Sequence, residues 1–494
     1  MPYLALFFLL LVGPVANAQV CGTPYEGMQE RIQTHVRHLR DFGPAHSRVI
    51  QYVPINFHAF AQNDGDDRVS LRDLSDMMCY VNQEYADMEI EFYINKLNLV
   101  DNTGGYNGTA QGLYTSLANS NRDGVNIFLV DKADTNSDIG VTLGYYNPNN
   151  DVIVMRDEEI SANNNTLVHE LGHFFSLPHP HNGWDAEPYN VDEHGVQVSA
   201  FSPGGVLNEK QDGSNCAIAG DFICDTPPDY NFGLGNVGCL FTEEVLDPDG
   251  EQVDPEELLH MGYFLNGCEL DEYFFSDMQQ DIVLNDLASN ARNYLDNNFT
   301  PSTTAVAAPT LTSPAAGEVV EGFDGVTLEW ESAGADIFIV RYALFSNLNS
   351  GEARIVFGNS VTLTDLLPDR NYFWEVRALS RSQFCAENVI SEKQNFRTGL
   401  SSAVRDVAGL SDWQVSPNPV ETDAPLFLSL TAEQAFTGRA QLVDLAGRVR
   451  HEQALQVTPG TQRIALSTAA LSPGIYFAVL RDARGVSRRR VLVR

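Results

Sequence analysis

Residues 165–181 read NTLVHELGHFFSLPHPH, and both the fold and the chemistry of the chain turn on them. His169 and His173 are four positions apart, with Glu170 beside the first. On a helix, residues i and i+4 share a face one turn apart, so both imidazoles can reach one metal ion while Glu170 stands next to it. The spacing predicts a helix over roughly 165–175. His179 lies ten residues after His169, giving HExxHxxSxxH. A third histidine just past the helix completes a tripod and leaves a fourth position open. His181 competes for that third place, and spacing favours His179. Between them, Ser176 stands where the chain must turn back toward the metal in a left-handed conformation. Glycine suits such a position, and serine costs about 1 kcal/mol there.

Working outward, Val49–Phe60 is β-prone, and Ser70–Tyr85 has apolar residues at helical spacing, with Ser70 as its N-cap and Asp73 three residues on. Short apolar runs follow at Ile90–Ile94, Val125–Val130 and Asp151–Met155. This order predicts an α/β (α+β) domain with a mixed sheet. Residues 181–260 are rich in Asp, Asn, Gly and Pro with little periodicity, which marks a functional or cross-linked loop region. Downstream, His260-Met261-Gly262-Tyr263 places a tyrosine two residues after a methionine. Cys224-Asp225-Thr226-Pro227 is preceded by Gly220-Asp221, and Cys268, Phe275-Ser276 and Gln279 follow.

With these motifs, residues 49–290 resemble the metzincin metalloproteases and, among them, the pappalysin-like group of cytophagalysin and ulilysin type. The resemblance implies a catalytic domain over 49–300 with zinc at the foot of a cleft, held by His169, His173 and His179, with Met261 in the Met-turn. It also implies calcium in the loop region, with Asp221, Asp225 and Thr226 as candidate ligands by motif position. The implied activity is zinc-dependent hydrolysis of peptide bonds in a protein or peptide substrate. Three neutral histidines leave zinc its full charge and lower the pKa of bound water toward 7. Glu170 is the general base that takes the proton and passes it to the leaving amine. Tyr263 would hydrogen-bond the oxyanion. Two other readings stand beside this one. The first is a secreted adhesin with an inactive metalloprotease-like domain, for which Ser176 is the argument. The second is a centre with Glu as third ligand, against which His179 stands at metzincin spacing. The presence of Glu170, which is no ligand, favours the enzyme.

The 494 residues suggest about three domains. Asp+Glu 66 against Lys+Arg 30 gives a formal charge of −36, a poor partner for nucleic acid or an anionic membrane. From Ser401 onward, eleven Arg oppose eight Asp or Glu, so the tail carries +3 and residues 1–400 carry −39. Residues 1–18 read as a secretory signal: Leu4–Val12 is apolar, Pro14 ends the run, and Ala16-Asn17-Ala18 offers a cleavage site before Gln19. No later segment is long enough for a transmembrane anchor, and a soluble monomer outside the cytoplasm is expected. Seven cysteines are an odd number for a secreted chain. Cys216, Cys224, Cys239 and Cys268 are disulfide candidates in any of three connectivities, while Cys21, Cys79 and Cys385 are isolated. Cys21-Gly22-Thr23 resembles the early Cys-Gly of pappalysin-like zymogens. That implies a cysteine switch, with the thiolate on the open zinc position and a pro-segment over 19–48.

The Pro, Thr, Ser and Ala of 301–314 begin as an interdomain linker, 301–307. Residues 308–399 resemble a fibronectin type III domain: Trp330 ends a strand-like VTLEW, Leu366, Pro368 and Tyr372 fit L-x-P-x-x-x-Y, and Tyr372, Trp374 and Val376 alternate. A second linker spans 400–412. Residues 413–494 resemble the C-terminal sorting domain of the type IX secretion system, through Ser416-Pro417-Asn418-Pro419, Val443-Asp444-Leu445-Ala446-Gly447-Arg448 and Leu471-Ser472-Pro473-Gly474-Ile475-Tyr476. The resemblance implies export through the periplasm to the cell surface or medium, with the secretion machinery as a partner.

Overall fold

Valine, isoleucine and phenylalanine recur through Gln51–Ala61 and Val125–Val130, and in the computed structural model both are strands buried along most or all of their length. Parallel strands covered on both faces read as such continuous apolar runs. The structure describes residues 19–24, 28–44, 49–133, 141–400 and 410–494, save 64, 66, 235, 237, 266, 297, 349, 350, 365, 387, 388, 445–448, 470, 483 and 484. The expected signal, 1–18, most of the second linker and Leu445–Arg448 of the tail lie outside the described residues. The chain divides into two units. The first runs to Thr303 and takes in Ser380–Ala386; the second holds Thr304–Leu379 and Glu387–Arg494.

The first unit contains, in order, β1 (Gln19–Cys21), α1 (Met28–Phe42), β2 (Gln51–Ala61), α2 (Leu71–Glu84), β3 (Ile90–Asp101), α3 (Thr103–Tyr106), α4 (Gln111–Ser120), β4 (Val125–Val130), β5 (Val141–Asn147), β6 (Val152–Arg156), α5 (Thr166–Phe174), α6 (Val191–His194) and α7 (Asp277–Leu287). Its mixed sheet has the order β1-β5-β6-β4-β2-β3. Strands β3, β2, β4 and β6 are parallel, β5 is antiparallel to β6, and β1 lies parallel along β5. Ser70 caps α2 by accepting from the Asp73 N–H. Ser276 and Gln279, which entered the sequence reading only as family marks, form a capping box at the start of α7. Strand β1 and helix α1 fall within the expected pro-segment.

Disulfides join Cys216 to Cys224 and Cys239 to Cys268 in the loop region. Cys79 and Cys385, isolated along the sequence, pair with each other across 306 residues, a link that sequence spacing cannot signal. This bond attaches the Ser380–Ala386 segment to α2, inside the expected fibronectin-like span. Cys21 is the one free cysteine among the described residues.

The described residues of the second unit form β-strands in two pairs of sheets. Strands β7 (Thr310–Ser313), β8 (Glu318–Val319), β9 (Val326–Glu331), β10 (Ile337–Ala343), β11 (Glu352–Val356), β12 (Ser360–Leu363), β13 (Asn371–Leu379) and β14 (Gln394–Arg397) form sheets of order β11-β10-β13-β14-β8 and β12-β9-β7. Tyr372, Trp374 and Val376 face one core, and the Leu367 N–H donates to the Tyr372 hydroxyl at 2.9 Å. Strands β15 (Leu410–Ser416), β16 (Leu426–Ala432), β17 (Phe436–Asp444), β18 (Val449–Val457), β19 (Gly460–Leu466), β20 (Gly474–Arg481) and β21 (Val486–Val493) form sheets β15-β16-β19 and β18-β17-β20-β21. Trp413, Leu428, Leu442 and Val491 lie in their shared core.

Candidate active site

Helix α5 is buried from Leu167 to Phe174. A Cβ on Gly172 would stand 2.4 Å from Met261 Sδ, so the methionine lies directly against the helix and would have to shift for any larger residue there. The helix ends in a Schellman turn, with the Ser176 N–H on His173 O at 2.9 Å and the Leu177 N–H on Gly172 O at 3.0 Å. Ser176 sits at φ +74°, the left-handed conformation the turn needs, and its hydroxyl donates to Asp286 Oδ2 at 2.8 Å.

This turn returns the chain so that three Nε2 atoms converge. Those of His169, His173 and His179 lie 3.0–3.1 Å apart. A tetrahedron with metal–nitrogen bonds of 2.0–2.1 Å has an edge of about 3.3 Å. The opposite ring nitrogens fix the tautomers. His169 Nδ1 meets His260 O at 2.8 Å, His173 Nδ1 meets Leu177 O at 2.7 Å, and His179 Nδ1 meets Asp185 Oδ1 at 2.5 Å. Each partner can only accept, so each Nδ1 carries the hydrogen and each Nε2 presents a lone pair. Three lone pairs aimed at one point repel unless a cation lies between them, and the donor set therefore fits zinc. Burial, followed by the charge of neighbouring imidazoles, holds all three histidines below their ordinary values and keeps them neutral.

Glu170 is fully buried, and its Oε1 has no hydrogen-bond partner among the described residues. Burial pushes its carboxyl up to about 8, against opposing hydrogen bonds from Cys21 and Thr23. A cavity of about 310 Å³ adjoins it, lined in part by Cys21, Leu143, Thr166, His169 and Tyr263. The N-terminal strand reaches into this region. Cys21 Sγ lies with the three histidine nitrogens in a group whose atoms are all within 4.8 Å of one another. The Thr23 hydroxyl donates to Glu170 Oε2 at 3.2 Å and accepts from the Tyr146 N–H at 2.8 Å. Tyr263 receives the Cys21 N–H at 3.1 Å and donates to Cys21 O at 3.2 Å.

His181 does not join the histidine trio. It stacks on His179 at 4.6 Å, with Asp185 and Asp229 at 3.8 and 3.7 Å from its ring nitrogens. Of the calcium candidates, Asp221 bonds the Ile223 N–H and the Thr226 hydroxyl, both at 2.9 Å. Asp225 is exposed and its oxygens are used elsewhere, accepting from Ser276 Oγ at 2.7 Å and the Met278 N–H at 2.8 Å at the start of α7. The sequence reading missed Asp185, which orients His179, and Glu209, a buried carboxylate pushed up by burial and then by the charge of Asp221. It also missed His260, whose ring is held by Asn165 at 2.7 Å and Glu84 at 3.0 Å and whose carbonyl orients His169. Asp185 lies six residues past His179 and was open to a search for acids near the motif. Glu209 and Glu84 carry no local signal.

Residues 414–494 match the family model described as a secretion system C-terminal sorting domain. The chain thus carries the type IX sorting tail, which implies an interaction with that secretion machinery and makes it a secreted or cell-surface protein. No described helix is long and apolar enough to cross a membrane. No curated protein matches the chain. Among solved structures it is similar to a point mutant of Tannerella forsythia promirolysin, at 15% identity and a TM-score of 0.37 over 56% of this chain and 96% of that one. It is also similar to the chicken CNTN1 FN1–FN3 domains, at 15% identity and 0.15 over 38% and 67%. Dimeric latent PorU from Porphyromonas gingivalis matches at 12% identity and 0.15 over 40% and 21%. These likenesses are weak, and the site's own geometry has to carry the functional reading.

Proposed function

We propose that the chain is a secreted zinc-dependent endopeptidase of the pappalysin-like metzincin type. The observation that supports it is the convergence of three histidine lone pairs beside a buried carboxylate oxygen, Glu170 Oε1, that has no partner of its own. His169, His173 and His179 would hold zinc, which when bound supplies a Lewis acid that polarises water and the scissile carbonyl. Glu170 takes a proton from the attacking water at Oε1 and hands it to the departing amine nitrogen. Tyr263, freed from the Cys21 backbone, directs its hydroxyl at the developing oxyanion. Met261 supports the helix that carries two of the ligands. Replacing Glu170 with Ala should leave zinc content unchanged and abolish cleavage of a casein substrate. Substantial residual cleavage would overturn this assignment of the base.

The form described is a latent one on this reading. Two residues of one short segment engage the three working parts: Cys21 faces the metal position, its backbone holds Tyr263, and Thr23 holds Glu170. Strand β1 also covers the β5 edge, where an extended substrate would pair. A Cys21→Ala, Thr23→Val precursor should cleave casein without processing; equal latency to the wild-type precursor would sink the idea.

Calcium is assigned to Glu209, Asp221 and Thr226 rather than to the triad with Asp225. Burial and then Asp221 push Glu209 up to about 9, burial and then Asp225 push Asp221 up, and acids crowded in one buried loop favour a hard cation. The first sandwich of the second unit is read as a fibronectin type III-like spacer.

A further inference from the structure

The left-handed turn between the second and third histidines is held from outside the motif. Ser176 is fully buried at φ +74°, and its hydroxyl hydrogen-bonds it to another element, through Asp286 Oδ2 at 2.8 Å. Asp286 is gripped in turn by Arg292, with Nε on Oδ1 and Nη2 on Oδ2, both at 3.2 Å. The same Nη2 donates to Phe174 O at the end of α5, and the guanidinium carbon lies 3.8 Å over the Phe174 ring. One carboxylate, through Arg292, therefore ties the turn to the Phe174 carbonyl at the end of the helix. The turn also sets His173, through Leu177 O at 2.7 Å.

Resting on the zinc reading above, we infer that Asp286 is a positioning residue of the metal centre and acts through Ser176. It offsets the left-handed strain that serine, unlike glycine, brings to the turn carrying His179. The turn is thus kept by an acid 110 residues away instead of by a glycine.

The test compares full-length wild type with S176A, S176G and D286N. It reads zinc affinity by competition with a chromogenic chelator, and the rise in melting temperature on adding zinc. S176A keeps the strain and loses the anchor, so zinc should bind about tenfold more weakly or worse, with D286N falling alongside it. S176G removes strain and anchor together and should stay within about threefold of wild type. The zinc-induced rise in melting temperature should shrink in S176A and D286N and recover in S176G, a pattern that loss of packing alone does not give. Wild-type affinity in both S176A and D286N overturns the inference, and so does an S176G as weak as S176A. If S176A does not fold, D286N and S176G decide between the same outcomes. A wild type that binds no zinc overturns the zinc reading itself.

Discussion

Asp286 and Asp221 are each 1% exposed, yet the chain handles their charges in opposite ways. Asp286 receives the two-point grip of Arg292 and the Ser176 hydroxyl, with Arg31 Nη2 at 3.6 Å and His35 Nε2 at 3.8 Å from α1. Asp221 receives one N–H and one hydroxyl, and its charged neighbours Asp225 and Glu209 share its sign. Burial pushes Asp221 well up; the Ile223 N–H and Thr226 oppose this, and Asp225 adds to it. A buried carboxylate needs a compensating charge. Where the sequence supplies a guanidinium the pocket is complete in itself; where it supplies only more acids the carboxyl is pushed toward its neutral form, and on the calcium proposal a cation from solution supplies the missing charge.

The sharpest way to break this contrast is to remove the guanidinium. Arg292→Leu leaves Asp286 with the Ser176 hydroxyl and the more distant Arg31 and His35, and takes from Asp151 its 2.8 Å partner. Breaking a buried pair on one side costs about 3–5 kcal/mol, so urea denaturation followed in the first unit should show a loss of that order. A loss below about 1 kcal/mol, the range of an exposed pair, would mean that Asp286 is compensated by other means.

A smaller effect is expected at Asp221. Calcium at about a hundred times its dissociation constant would stabilise the first unit by about 2.7 kcal/mol, a gain that chelation should reverse. The Glu209→Gln, Asp221→Asn variant should melt at the same temperature with and without calcium while keeping its zinc. A wild type whose melting ignores calcium would end the distinction between the two pockets.

The same contrast explains what could be read from the chain. The histidines of α5 were legible because i and i+4 are neighbours by helix geometry alone, and α2, β2, β4 and β6 because their apolar periods are local. Strand β1 has three residues and pairs with β5 more than a hundred positions away, so neither has a local signature. Ser176 was legible as an anomaly, while its remedy in Asp286 was not. Asp221 was legible from its motif, whereas Glu209 lies twelve residues upstream in a stretch without period. Cys216, Cys224, Cys239 and Cys268 announced disulfides without their pairing, which only the loop path decides.

The last and smallest effect concerns the outer partners of Asp286. His35 on α1 faces Asp286 of α7 and Arg292, with Arg31 and His38 on its own helix, and its value is lowered, first by burial and then by those cations, against the pull of Asp286. An imidazole lowered in the docked state takes up its proton more readily once α1 has come away. Docking of α1 is therefore strongest above the ordinary value of 6.5 and weakens as pH falls below it toward the docked value. The window between about pH 5 and 6.5 lies above the ordinary carboxylate range, so it separates imidazoles from carboxylates. Hydrogen exchange across Met28–Phe42 should quicken over that window beyond its intrinsic pH dependence, and His35→Asn should flatten the response while leaving Arg31 in place. If the wild-type helix exchanges with no such response, α1 is held by Arg31 and packing alone. Asp286 would then be compensated only by permanent cations, which makes the contrast with Asp221 more complete.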